Sequence, residues 1–217
     1  MKKGIQKKIL SIIFIVILVS VIFLCRNYKY VKSKALRYAI EYSLGNGATN
    51  GNVSPFFRKA SLKKISHLEI DVIYDDNYHD SSYTKPGEID LSEINCMNNL
   101  SSIIIKDSHM ESLINQVRND EDAYIILVKK MSTVVGLDHL IFRDASIDLT
   151  LKDVRLSNES DLSCAKTLEI VDCDLRNYKW LDTCTNVENL SGYSPDIDIF
   201  KEGNKKITDI INETAIS

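Results

Sequence analysis

The chain has 217 residues, of which 44% are hydrophobic, so it is long and apolar enough to form one domain with its own core. Its first 34 residues contain eight Lys and Arg and no carboxylate, so residues 35–217 carry 19 cationic and 30 acidic side chains. An acidic surface of this kind repels phosphate backbones, which excludes nucleic acid as a partner.

The first predicted element is a transmembrane helix over residues 9–25, ILSIIFIVILVSVIFLC. As a helix this run extends about 26 Å, close to the roughly 30 Å hydrocarbon core of a bilayer. It ends in IFLCRN, which lacks the small residues of a signal-peptidase or lipoprotein cleavage site, so we expect an uncleaved, single-pass signal anchor in the cell membrane. Lys and Arg flank the run almost equally, but residues 1–8 are short, so we expect a cytoplasmic stub and an extracytoplasmic C-terminal domain.

Residues 26–59 are predicted to form a juxtamembrane helix and a linker. We expect this helix to continue from the membrane span and to end at Gly45, before the turn-forming sequence GNGATNGN. One face of the helix is formed by Val31, Ala35, Tyr38, Ala39 and Tyr42.

Residues 60–217 contain an apolar pattern that recurs five times, in which residues spaced by three lead to a pair spaced by two. The positions that end the five copies are Leu68 and Ile70, Ile103 and Ile105, Leu140 and Phe142, Leu168 and Ile170, and Leu190 and Gly192. A spacing of two predicts a strand with one buried face, and spacings of three predict a 3₁₀ or polyproline-like return segment. Such coils, stacked in register, bury a continuous core beneath a parallel sheet, as in a small solenoid.

This pattern resembles the leucine-rich repeat, LxxLxLxxNxL, in its bacterial internalin-like form of about 22 residues. The segment AKTLEIVDCDL matches the strand part, and NYKWLDTCTNVENL is similar to the family's DISPLxxLTNLxxL segment. The position where the family carries a ladder of Asn holds Ser108, Ala145, Cys173 and Pro195. The resemblance covers roughly residues 60–200. It implies an α/β fold, an irregular leucine-rich-repeat-like solenoid with a short parallel sheet, preceded by one N-terminal transmembrane helix.

Insertions interrupt the repeats. MESLINQV has apolar residues at helical spacing and predicts a helix on the convex side, whereas DDNYHDSSYTKPGE predicts a mobile loop. The end of the chain, GNKKITDIINETAIS, is predicted to form a C-terminal cap that covers the last coil.

The sequence contains no phosphate-loop, dinucleotide, zinc-protease or nucleophile-elbow motif. Ser61 and Lys64 satisfy SxxK without its companion motifs, and the acidic residues around His79 lack the spacing of a calcium loop. We therefore expect no catalytic residue, metal or cofactor. Four cysteines follow the membrane segment, and we expect free thiols, with Cys173 and Cys184 buried and Cys96 and Cys164 pointing outward.

The exposed side of the predicted sheet is the expected partner-binding face. Its principal residues are His67, Glu69, Ile104, Lys106, His139, Ile141, Arg143, Glu169 and Tyr193. Ile104 and Ile141 are expected to be neighbours, with Lys106 and Arg143 beside them, which gives an apolar centre with a charged rim. Leucine-rich repeats use the corresponding face, so the resemblance implies a non-enzymatic protein-binding or scaffolding role at the membrane. Two alternatives are an enzyme or enzyme accessory with its chemistry in the insertion loops around His79 and Asp80, and a structural spacer in a membrane complex.

Overall fold

The computed structural model describes residues 2–46, 53–74, 88–117, 119–137, 147–157, 160–174 and 183–193. Its α-helices are α1 (Lys2–Asn27), α2 (Lys34–Ser43), α3 (Lys59–Leu62), α4 (Ser108–Val117) and α5 (Glu121–Val128). Its strands are β1 (Tyr28–Tyr30), β2 (Phe56–Arg58), β3 (His67–Asp71), β4 (Glu88–Asp90), β5 (Ser102–Lys106), β6 (Thr133–Val135), β7 (Ile147–Lys152), β8 (Arg155–Leu156), β9 (Ala165–Val171) and β10 (Asn189–Tyr193). The fold is mixed α/β with parallel sheets.

Helix α1 is long and apolar enough to cross a membrane. Its 18-residue apolar stretch, Leu10–Asn27, is not buried anywhere within the protein. The predicted transmembrane segment lies within this helix.

The helix does not continue from α1 into α2, so that prediction is wrong. Strand β1 intervenes and pairs antiparallel with β2, and the Ser33 side chain then accepts a hydrogen bond from the Leu36 amide at 3.3 Å to begin α2. The predicted stop is confirmed, because Gly45 follows α2 with a φ of 75°.

The buried face of α2 is rotated from the predicted one. Ala35, Leu36, Ala39 and Ile40 are buried in the same core as the main sheet, whereas Tyr42 is 72% exposed. The sequence offers two neighbouring apolar stripes on this helix. The aliphatic stripe packs on β3 because its smaller side chains allow a closer approach.

Strands β3, β5, β7, β9 and β10 form the main sheet, in the order β10-β9-β7-β5-β3, and all neighbours are parallel. A second parallel sheet has the order β4-β6-β8. From β3 to β9, successive strands alternate between the two sheets. The apolar positions predicted to pair do so at both ends of the main sheet, where Leu68 pairs with Ile103 and Leu168 with Leu190.

The middle strand of the main sheet is not where the repeat pattern placed it. Strand β7, with Leu149 in register between Ile103 and Leu168, occupies that position. Residues 140–142 lie outside the described residues. Because β5 is hydrogen-bonded to β3 on one side and to β7 on the other, the cross-strand neighbours of Ile104 are Glu69 and Thr150. The prediction that Ile104 and Ile141 are neighbours is therefore wrong.

The described residues spaced by three are buried, as predicted, although Val128 and Met131 belong to a second apolar cluster rather than to the main core. A 3₁₀ helix spans Leu91–Ile94, and its two apolar ends are buried, as are Met97 and Leu100 before β5. The helix predicted within MESLINQV is confirmed as α4, which packs with α5 in a separate small apolar cluster. The predicted loop at 75–87 and the C-terminal cap lie outside the described residues.

All five cysteines are free thiols. Cys173 and Cys184 are buried as predicted, but Cys96 and Cys164 are only partly exposed and pack against the core. Burial raises the pKa of the Cys173 thiol to about 12 and that of Cys164 to about 11.

In the folded full-length chain in detergent, we expect N-ethylmaleimide to modify Cys173 at least about 1,000-fold more slowly than an unfolded thiol at about pH 8, since the thiolate is the reacting form. Intact-protein mass spectrometry with peptide mapping measures the rate. Cys96 is the internal reference, and addition of guanidinium should bring both residues to the same rate. Equal rates in the folded chain would contradict the burial of Cys173.

Candidate functional site

A groove of about 200 Å³ lies between α2 and the edge of the main sheet at β3, and we name it the α2 groove. It is lined by Tyr38, Ala39, Tyr42, Glu69, Asp71, Tyr74 and Lys106. The small buried Ala39 allows α2 to approach β3, and the Ser43 hydroxyl donates to the His67 carbonyl at 3.1 Å. Helix and strand are thus held together, and longer side chains form the groove walls.

One wall of the α2 groove is aromatic. The rings of Tyr38 and Tyr74 stack with centroids 4.7 Å apart and an interplanar angle of 17°. Tyr42 lies one turn further along α2, and Tyr74 is 49% exposed. Tyrosines in this arrangement present a large apolar surface with a polar tip at little entropic cost.

The opposite wall of the α2 groove is charged. The Lys106 ammonium lies 2.6 Å from Glu69 Oε1, and the two side chains are 30% and 37% exposed. The hydrogen bond to Glu69 raises the pKa of Lys106. Partial burial opposes this shift, and the fields of Glu69, Asp71 and Glu111 reinforce it. Lys106 is therefore a fixed cation over the whole physiological pH range.

Asp71 connects the α2 groove to the start of α4. Its carboxylate accepts hydrogen bonds from the Ser108 amide at 3.2 Å, from the Ser108 hydroxyl and from the Ile73 amide at 3.3 Å. These bonds fix its orientation. With Glu69, it gives the groove a net negative charge around the single cation Lys106.

Two of the predicted face residues, Glu69 and Lys106, come together in the α2 groove. His67 lies nearby on β3, is exposed as predicted, and has Nδ1 3.1 Å from the Ser102 hydroxyl oxygen. Ile104 lies half-buried on the same face. These four residues, His67, Glu69, Ile104 and Lys106, therefore lie close together on two neighbouring strands.

The other predicted face residues do not join this group. Glu169 is two strands away on β9 and accepts a hydrogen bond from the Thr150 hydroxyl at 3.1 Å. Tyr193 is on β10 at the opposite edge of the sheet, paired with Val171. His139, Ile141 and Arg143 lie outside the described residues. In the part of the sheet that the structure describes, Ile104 is aligned across the strands with four polar residues, Glu69, Thr150, Glu169 and Ser191.

The sequence-based prediction did not identify three buried aspartates that directly follow strands of the main sheet. Asp107, Asp153 and Asp172 follow β5, β7 and β9, and the φ angles of the last two are 56° and 47°. Asp tolerates this left-handed conformation better than most residues. The Asp107 amide donates to the Lys152 carbonyl at 3.2 Å, and the Asp153 amide to the Val171 carbonyl at 3.0 Å. The repeated ending in IIIKD, LTLKD and LEIVD was the available signal.

The Asn-ladder position, one residue later, has two different environments. The Cys173 sulfur lies 3.3 Å from the Leu151 carbonyl oxygen and 3.4 Å from the Val171 carbonyl oxygen. Ser108 instead binds the Asp71 carboxylate, a side chain rather than a backbone carbonyl. Ala145 and Pro195 lie outside the described residues.

Throughout the described ranges, no group of three His, Cys, Asp or Glu side chains is arranged to hold a metal ion. The acidic insertion with His79 and Asp80 lies outside those ranges. No protein-family model, curated protein or solved structure matches the chain.

Proposed function

We propose that the protein is a membrane-anchored leucine-rich-repeat-like solenoid, with its domain outside the cytoplasm, that binds or scaffolds a protein partner. The α2 groove supplies the single observation that carries the binding role, because exposed Tyr42 and Tyr74 stand beside the fixed Lys106–Glu69 pair. The apolar stretch of α1 supports the anchoring.

The strand arrangement supports the solenoid. Strands β3, β5 and β7 of the main sheet are each followed by a strand of the second sheet, and after β9 Asp174 bridges to Arg155 at the edge of that sheet. Such a path is expected of a chain that winds in successive coils, each contributing one strand to each side. The buried residues spaced by three before β5, Leu91, Ile94, Met97 and Leu100, occupy the segment between β4 and β5, as expected of a leucine-rich-repeat coil.

The size of the α2 groove favours a protein partner over a small molecule. Small-molecule sites usually enclose about 300–1,000 Å³ and bury most of their ligand. The α2 groove, at about 200 Å³, accepts one or two side chains of a partner. Tyrosine-rich, partly charged surfaces of this type supply the energetic centre of many protein interfaces.

Tyr42→Ala is expected to weaken partner binding about tenfold or more, because truncating an exposed interface tyrosine removes contact area without disturbing the core. A photoreactive residue at position 42, used in intact cells, identifies the partner by mass spectrometry. Biolayer interferometry with the purified partner and the full-length chain in detergent then gives the Kd of each variant.

Two matched variants test the specificity of that result. Ile126→Ala removes another exposed apolar side chain, from α5, and should leave the Kd unchanged. Lys106→Glu should weaken binding, whereas Lys166→Glu, which reverses a cation in another surface ion pair with Glu188, should not. Equal Kd values for all four variants and the unaltered chain would exclude the α2 groove as the binding surface.

A structural spacer is the second candidate. Strand β1 begins at the residue that follows α1, so no linker separates the described domain from the apolar helix. This continuity suits a part that holds a membrane complex at a fixed height. If the protein remains part of a membrane complex when Tyr42 and Lys106 are replaced, this result would favour the spacer role.

A further inference from the structure

The antiparallel ribbon formed by β1 and β2 lies directly beside the end of the apolar helix α1. Tyr28 pairs with Arg58 and Tyr30 with Phe56, so residues about 30 positions apart meet at this point. The Lys59 ammonium also donates to the Cys25 carbonyl, an acceptor at the C-terminal end of α1, at 3.0 Å. Both strands of the ribbon are therefore fixed to the end of the helix.

An open apolar groove of about 670 Å³ runs along this junction, and we name it the ribbon groove. Leu24 of α1 and the rings of Tyr30 and Phe56 form its apolar surface. The two rings are 55% and 58% exposed and meet at a tilted contact with centroids 5.3 Å apart. Its volume suits part of an acyl chain and the adjoining glycerol region.

Cations surround the ribbon groove. Lys29 donates to the Asn95 side-chain oxygen at 3.3 Å, and Arg58 to the Tyr28 hydroxyl at 3.3 Å. Within the described part of the chain these two cations and Lys59 contact neutral oxygens rather than carboxylates. The remainder of the domain is acidic, so the fold concentrates positive charge at the end that adjoins α1.

We propose that the ribbon groove binds an anionic phospholipid of the same bilayer that α1 spans. An acyl chain lies against Leu24, Tyr30 and Phe56, and the headgroup phosphate lies near Lys29 and Lys59. The inference rests on the proposed membrane anchoring. Aromatic rings and cations directly beyond an apolar span are suited to the interface and the anionic headgroups of a membrane. The continuity with α1 places them at that depth.

This contact would orient the domain as well as anchor it. The Lys32 and Ser33 amides donate to the Glu93 carboxylate at 2.8 and 3.0 Å, which ties the segment after β1 to the 3₁₀ helix Leu91–Ile94. Because the ribbon is joined to the domain in this way, a lipid held in the ribbon groove restricts the tilt of the domain relative to the membrane.

The experiment uses the full-length chain with the photoreactive amino acid p-benzoylphenylalanine in place of Phe56. The protein is reconstituted in phosphatidylcholine vesicles that contain about 30% phosphatidylglycerol, and irradiation is followed by mass spectrometry of the adducts. We expect lipid adducts enriched in phosphatidylglycerol above its share of the bilayer. Lys29→Gln should lower the ratio of phosphatidylglycerol to phosphatidylcholine adducts about fivefold, the effect of about one interfacial cation, while Lys166→Gln should not change that ratio.

The same photoreactive residue at Ile17, within α1, separates this inference from the anchoring on which it rests. Lipid adducts at position 17 with none at position 56 would overturn lipid binding by the ribbon groove and leave the anchor intact. No lipid adduct at either position would overturn both. An adduct between two copies of the chain, or enrichment that is the same in Lys29→Gln, would also overturn the proposal, because the groove would then hold a protein or an unselected lipid.

Discussion

Gly136→Ala is expected to reduce the free energy of unfolding by about 2–5 kcal/mol, the sum of a backbone contribution and a steric contribution. Gly136 has a φ of 76°, a conformation that costs other residues roughly 1–2 kcal/mol. An added methyl carbon would lie 2.5 Å from Asp90 Oδ1 and 2.7 Å from the Ser92 nitrogen. These two groups form the 2.9 Å hydrogen bond that begins the 3₁₀ helix Leu91–Ile94, so they cannot move apart without losing it. The clash adds about 1–3 kcal/mol.

Gly45→Ala is the matched control for this substitution. Gly45 has nearly the same φ, 75°, but a methyl carbon there would have no atom within 4 Å. Its expected cost is the backbone term alone, about 1–2 kcal/mol. Urea unfolding of the full-length chain in detergent, followed by far-UV circular dichroism, gives both values. Equal losses would show that Gly136 does not pack against the Asp90 cap.

Most of the main sheet could be predicted because its strands carry a strong local signal. Leu68, Ile103, Leu168 and Leu190 each follow a run of residues spaced by three, and each lies in a strand of the parallel sheet. A spacing of three followed by a spacing of two marks both a return segment and the strand after it, so a local pattern is enough to locate these strands. The described apolar residues of the predicted return segments are also buried.

Strand β7 could not be placed by the same reasoning. Residues 128–142 satisfy the repeat pattern completely, whereas Ile147, Leu149 and Leu151 have only the spacing of two. The spacing of two alone does not distinguish a strand of the sheet from a connecting segment. Residues 147–152 form the central strand because they pair in register with β5 and β9, which are distant from them in the sequence.

The α2 groove could not be predicted from the sequence, because it also depends on contacts between distant residues. Tyr38 and Tyr74 are 36 residues apart, and only the packing of α2 on β3 stacks their rings. A ten-residue helix with two adjacent apolar stripes does not reveal which one is buried. The aromatic stripe has hydroxyl groups that need water or a partner, so burying the aliphatic stripe costs less. Glu69 and Lys106 were identified because they alternate with buried strand residues, a purely local feature.

Leu149→Ala is expected to reduce the free energy of unfolding by about 2–5 kcal/mol, a large share of the stability of a domain of this size. Leu149 is 1% exposed and lies in the central strand, in register with Ile103 and Leu168. Strands on both sides restrict collapse of the resulting cavity, which places the loss in the upper part of the range. Denaturant unfolding in detergent measures it, provided that the dependence on denaturant concentration is unchanged.

Asp148→Ala, at the exposed neighbouring position of the same strand, is the control and should change stability by no more than about 0.5 kcal/mol.

Leu140→Ala provides the decisive comparison, because the repeat pattern assigns Leu140 to the place that Leu149 occupies. If Leu140→Ala is severely destabilising and Leu149→Ala is mild, the central strand lies at 140–142 and the exposed face contains Ile141 and Arg143 after all. If Leu149→Ala is the severe variant, Thr150 is the neighbour of Ile104.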